Sequence, residues 1–136
     1  MKSFDILVDS DAFIALIVYY DAHFQRAHSS MDRFGREEKR LVTTELVVAE
    51  TASTLSRRFS YDLACQFIDF IRHGQVPIIF LNDDLQKRSH DLFLAEKREQ
   101  TSAVDCANIA VAEYYGIDQL FSFDGIYSHH HLTLVG

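Results

Sequence analysis

Proline is nearly absent from this chain: Pro77 is the only one among 136 residues, alongside five glycines, two cysteines and no tryptophan. So little proline and glycine excludes collagen-like, proline-rich and low-complexity classes. Cys65 and Cys106 lack any C-x-x-C partner, which excludes a disulfide-stapled scaffold and a cysteine-built zinc site. Each falls in a helix-like stretch, and both are expected to be reduced core residues rather than a disulfide pair. The longest uninterrupted apolar run, Ala12 to Tyr20, is far short of the roughly 20 residues a membrane-spanning helix needs. The opening segment, Met1 to Val8, sets an acid inside a short apolar run and offers no small-residue cleavage site, so no secretory signal peptide is expected. These absences lead to the expectation of a soluble, cytoplasmic protein without a membrane anchor.

Basic charge is scarce as well. Thirteen Lys and Arg against 20 Asp and Glu leave a formal net charge of -7, unpromising for nucleic acid, whose affinity comes largely from neutralised phosphates. The sign misleads if metals bind, because two divalent cations would cancel more than half of it. Basic pairs stand at Lys39-Arg40, Arg57-Arg58, Lys87-Arg88 and Lys97-Arg98. Their plain reading is solvated helix faces.

What is present is the balance of one compact domain over residues 1–136, with 48% hydrophobic and 24% charged residues. Phe4 to Val8 reads as a buried strand that stops at Asp9-Ser10-Asp11, and Ala12 to Tyr20 as a short apolar helix. From Asp21 to Lys39, Phe24, Ala27, His28, Met31 and Phe34 fall at helical spacing, with a break near Gly35. Leu41 to Thr43 is β-prone, Thr44 is placed to cap a helix to about Phe59, and Ser60 to cap another to about His73. Val76 to Leu81 is a third strand with Pro77 near its start. A charged helix follows from Asn82 to Arg98, another from Ser102 to about Gly116, then strands at Gln119–Phe123 and Leu132–Val135. Strands separated by helices predict an α/β fold with a mostly parallel sheet of about five strands covered on both faces. Sites in such sheets form beyond the carboxyl ends of the strands where strand order reverses. Asp9 and Asp124 each follow a strand in that manner.

Each acid also has an ordinary reading. Asp9 and Asp11 compete to cap the same helix, so one of the pair is left over. Glu50 has Leu46, Val47, Ser53 and Thr54 as helical neighbours, a partly apolar flank in which a charge wants a partner. Glu45 lies in a first helical turn, where the helix dipole accounts for it, and is the reserve ligand. Ser102-Ala103-Val104-Asp105 fits a capping box, yet Ala103, Val104, Ala107 and Ala110 make that helix end apolar. Asn108 shares its side with Asp105 and is placed to orient a ligand or water. Asp124-Gly125 is equally a turn dipeptide. Together, four carboxylates at strand ends and helix starts, without a matched His or Cys set, suit a hard cation such as Mg²⁺ or Mn²⁺. His129-His130-His131 is a poor zinc candidate, since consecutive residues of an extended segment face opposite ways.

Across nearly the whole chain these segments resemble the PIN-domain family, and within it the VapC-like ribonuclease toxins of prokaryotic toxin-antitoxin pairs. Ile6 to Ala15 looks like the family's first motif, with Asp9 at its acidic position. Val42 to Thr51 is similar to the second through Glu50, Ser102 to Ala107 to the third through Asp105, and Leu120 to Tyr127 to the fourth through Asp124. Asp11 departs from the small hydroxyl or amide residue more usual after the first acid. The resemblance implies a three-layer α/β/α fold and an endoribonuclease in which Asp9, Glu50, Asp105 and Asp124 bind one or two Mg²⁺ or Mn²⁺ ions. Water activated by the metal would attack the scissile phosphorus in line, leaving 5′-phosphate and 3′-hydroxyl ends. Ser10, Asp11, Thr101 and Asn108 are the candidate supporting groups. RNA, a small antitoxin protein and a second copy of the chain are the implied partners. Two other readings stay open: a non-catalytic RNA-binding or protein-interaction module, and a haloacid-dehalogenase-like phosphatase using Asp9-Ser10-Asp11. The second is disfavoured because no lysine occurs after Lys97.

Overall fold

A computed structural model describes residues 3–136, except for the side chains of residues 126, 128 and 129. Five strands, β1 (Ile6–Val8), β2 (Leu41–Thr44), β3 (Ile78–Ile79), β4 (Gln119–Phe121) and β5 (Thr133–Leu134), form one sheet in the order β3-β2-β1-β4-β5. Every pairing is parallel. The helices are α1 (Ser10–Ile17), α2 (Phe24–Arg36), α3 (Glu45–Arg58), α4 (Tyr61–Arg72), α5 (Asp83–Ala95) and α6 (Ala103–Tyr115), with a 3-10 helix at Gly125–His130.

The pleat sorts the strand residues between two cores. Ile6, Val8 and Phe121 pack with Phe13, Phe34, Leu55 and Phe67 from α1 to α4. Leu7, Val42 and Leu120 pack on the other face with Leu85 of α5 and Ile109 and Val111 of α6. Side chains at successive strand positions point to opposite faces, so a strand buried on both sides reads as an unbroken apolar run. This is the three-layer α/β/α arrangement expected from the sequence.

Local signals place the helix starts. Asp9, Thr44, Ser60, Asn82 and Ser102 each adopt extended backbone and accept a hydrogen bond from a backbone N–H of the first turn, satisfying donors that have no partner inside the helix. Gly116 ends α6 at φ 67°, where a side chain would be strained, while Ile117 N–H reaches back to the Ala112 carbonyl at 2.9 Å.

Several expectations need correction. The first helix stops at Ile17 rather than Tyr20, leaving Tyr19 and Tyr20 exposed in a turn. The third strand is only two residues long, because β3 is an edge paired on one side and Phe80 already faces solvent. Cys65 is exposed on α4, so only Cys106 is a core residue; both are free thiols. The histidine run is not extended either: residues 125–130 wind into the 3-10 helix, where His130 Nε2 lies 3.3 Å from Glu96 Oε2. The His129 side chain lies outside the described residues. Among the described residues no helix is long and apolar enough to cross a membrane.

Candidate metal centre

The chain leaves β1 toward β2 and β3 on one side and returns to pair β4 on the other, so β1 and β4 flank the point where strand order reverses. Val8 is in register with Phe121. Residues just past these two strand ends therefore lie about one strand spacing, ~5 Å, apart. Asp9 is the first residue beyond β1 and is 4% exposed.

Both oxygens of Asp9 are fully engaged. Oδ1 accepts from Ser10 N–H at 2.8 Å and Asn108 Nδ2 at 3.1 Å, and Oδ2 from the Ser122 hydroxyl at 3.1 Å and the Tyr127 hydroxyl at 3.0 Å. Tyr127, itself wholly buried, also lies 2.8 Å from Asp105 Oδ1 and accepts from Asn108 Nδ2 at 3.0 Å. A phenol has one proton, so it serves only one of the two carboxylates at a time. Burial first, then the charges of Asp11 and Asp105, push the Asp9 carboxyl up to about 7. Burial and the same pair of carboxylates, Asp9 and Asp105, raise the Tyr127 phenol, which stays protonated. Burial also raises the Cys106 thiol, with Asp105 adding to it, so this neighbour is not a nucleophile.

The other acids join through single contacts. Glu50 Oε1 accepts a short hydrogen bond from the Ser10 hydroxyl, so the acid of α3 meets the residue that follows Asp9. Asp124 follows β4, its N–H donates to Ser122 Oγ at 3.1 Å, and its charge acts on Asp11. Asp11 Oδ2 accepts from Phe123 N–H at 2.8 Å, clasping α1 to the segment after β4, and lies 3.3 Å from Ser122 Oγ, whose one proton serves either Asp9 or Asp11 at a time. Its carboxyl is raised, chiefly by burial.

Two of the sequence candidates are elsewhere. The Thr101 hydroxyl donates to the Arg98 carbonyl at 2.9 Å, holding a turn before α6. Glu45 accepts from Leu81 N–H at 3.2 Å, closing the end of β3. Tyr127 is the residue that sequence reasoning did not single out. Its signal was a tyrosine three residues past Asp124, next to Ile126 in the sequence, since a phenol that becomes buried needs a hydrogen-bond partner.

The donor chemistry suits a hard divalent cation: all oxygens, mostly carboxylate. Asp11 Oδ1 and Asn108 Oδ1 are buried with no hydrogen-bond partner among the described residues, as expected of acceptors that need a further donor or cation. Among the described residues no Lys or Arg forms an ion pair with Asp9, Glu50 or Asp105. In this conformation, though, no three described His, Cys, Asp or Glu side chains are grouped to grip one ion. The Tyr127 and Ser10 hydroxyls stand between the acids and satisfy them.

Similar folds are found among solved structures. VapC20 of Mycobacterium tuberculosis, a sarcin-ricin loop cleaving toxin, is 23% identical with a TM-score of 0.84, covering 95% of this chain and 97% of that one. VapBC2 of Rickettsia felis, bound to a DNA fragment from its promoter, is 11% identical at a TM-score of 0.70, covering 95% and 96%. FitAcB of Neisseria gonorrhoeae is 12% identical at 0.70, covering 96% of each chain. These identities establish a shared fold. No curated protein sequence matches the chain significantly. The family profile of the PIN domain matches residues 6–130, the span that holds β1 to β4, the acids past β1 and β4 and the acids of α3 and α6, and the chain belongs to the PIN domain family.

Proposed function

We propose that this protein is a Mg²⁺- or Mn²⁺-dependent endoribonuclease of the VapC-like toxin type, acting as one nuclease unit over residues 1–136. The observation that carries this reading is a buried Asp9 at the strand-order reversal, sharing one phenol with Asp105 and adjoining Glu50, with no cationic side chain among the described residues paired to any of the three. Asp9 and Asp105, with Glu50 and Asp124 at the margins, would hold the ion. A divalent cation bound there supplies a Lewis acid that acidifies water and stabilises charge on phosphoryl oxygens. Asp11 and Ser122 fix the loop that carries Asp124. Asn108 would orient Asp9, and Tyr127, standing between Asp9 and Asp105, would orient both.

The VapBC and FitAcB assemblies support a small antitoxin protein as the partner that restrains the enzyme; a homodimer is proposed from the family resemblance alone. Purified protein is expected to cleave structured RNA in the presence of Mg²⁺, the sarcin-ricin loop being the first substrate to try, and to leave 5′-phosphate ends. Asp9→Ala is expected to lose that activity by at least a hundredfold. Absence of cleavage by the unmodified protein, or equal cleavage by the variant, overturns the proposal.

A further inference from the structure

One face of α3 carries Glu50, Ser53, Thr54, Arg57 and Arg58, spaced at i, i+3, i+4, i+7 and i+8, so the five side chains form one stripe. They line a groove of about 480 Å³. At its upper end stands Glu50, tied to Ser10 beside Asp9. Two guanidinium groups lie at the lower end, two turns or ~10 Å along the helix axis.

Three other arginines are already committed. Arg40 pairs with Asp5 at 3.3 Å and Arg88 with Glu113 at 3.0 Å, while Arg26 donates to the Gly136 carbonyl at 2.9 Å and lies over the Phe123 ring. Arg57 and Arg58 are exposed, and among the described residues neither forms an ion pair. Their place in the last turn of α3 suits the helix dipole, but that accounts for one positive charge near the axis, not for two side chains sharing a groove with an acid of the metal centre. In a protein of net charge -7, a polyanion approaching four acids needs fixed positive charge close by, because phosphate contacts supply most of the affinity. Guanidinium matches phosphate in geometry as well as charge.

We infer that Arg57 and Arg58, with the Ser53 and Thr54 hydroxyls between them and Glu50, form the subsite that holds a backbone phosphate of the RNA strand next to the scissile one. This rests on the nuclease reading for the strand's register, while the groove and its charge stand without it. The arginines are positioning residues: they set how the strand lies and take no part in bond breaking.

The test compares the unmodified protein with Arg57→Gln/Arg58→Gln and with Arg36→Gln/Arg72→Gln, which removes the same charge from the exposed ends of α2 and α4. Binding of a fluorescein-labelled single-stranded oligoribonucleotide is followed by anisotropy across a salt series, and Mn²⁺ binding by calorimetry. The α3 double variant is expected to bind RNA about tenfold more weakly, with the slope of log K against log salt shallower by about 0.7, the share of the one lost phosphate contact. Its Mn²⁺ affinity is expected to match the unmodified protein, and its cleavage to show a raised KM at unchanged kcat. The α2/α4 variant is expected to bind normally. Equal RNA binding by all three proteins, or equal weakening in both variants, overturns the subsite. Weaker binding confined to the α3 variant upholds it even if no RNA is cut, in which case only the nuclease reading falls.

Discussion

At the scale of single residues, the centre turns on how one proton is shared between Asp9, Tyr127 and Asp105. Two acids meet at a buried phenol, with Asp11 adding its charge at Asp9, and burial keeps a proton on Asp9. Its carboxyl is pushed up to about 7 from 3.8. The native state thus holds a proton that the unfolded chain has released, and stability falls as pH rises from about 4 through about 7. In the cation-free protein, Asp9→Asn is expected to flatten that fall, by an amount on the order of a few kcal/mol, measured as urea midpoints across the range. The same proton competes with a cation. Asp9 itself was legible as a strand-end acid, and Ser102 as a cap. Tyr127 was not, because its value lies in contacts with residues 118 and 22 positions away.

Secondary-structure elements act here as brackets that aim these side chains. The Ser102 hydroxyl accepts from Asp105 N–H at 3.0 Å, so the cap that starts α6 also fixes the backbone of a site acid. Asp105 then turns its carboxylate to Tyr127 instead of completing a capping box. Ser102→Ala is expected to cost about 1 kcal/mol of stability, read as a lower melting temperature, and to weaken Mn²⁺ binding in calorimetry. The caps at Thr44, Ser60 and Ser102 were readable because a cap is a short-range event between neighbouring residues. Strand lengths were less so. The segment 76–81 has strand composition throughout, yet only Ile78 and Ile79 find partners, since ladder length depends on the neighbouring strand.

For the molecule as a whole, the sheet order matters most. Placing β4 beside β1 joins Asp9 to the loop carrying Ser122 and Asp124, and lays α1 and α3 over the same edge. A ligand that binds only the folded state adds stability by mass action, about 2.7 kcal/mol at a hundredfold excess over Kd. Mn²⁺ at that excess is expected to raise the melting temperature by about 5 to 10 °C for a chain of this size. The Asp9→Ala variant should show no such rise in a thermal scan.

Sequence alone determined the element order, the alternation of strands with helices and the seating of acids at element ends, because periodicity, caps and turn residues act over a few positions. Only tertiary structure decided that β1 and β4 are neighbours, that Asp11 clasps Phe123 rather than capping α1, that Ser10 bridges to Glu50, and that one phenol separates Asp9 from Asp105. Those contacts span from 22 to 118 residues, and a local pattern carries no information about which distant group will fill a buried hydrogen bond.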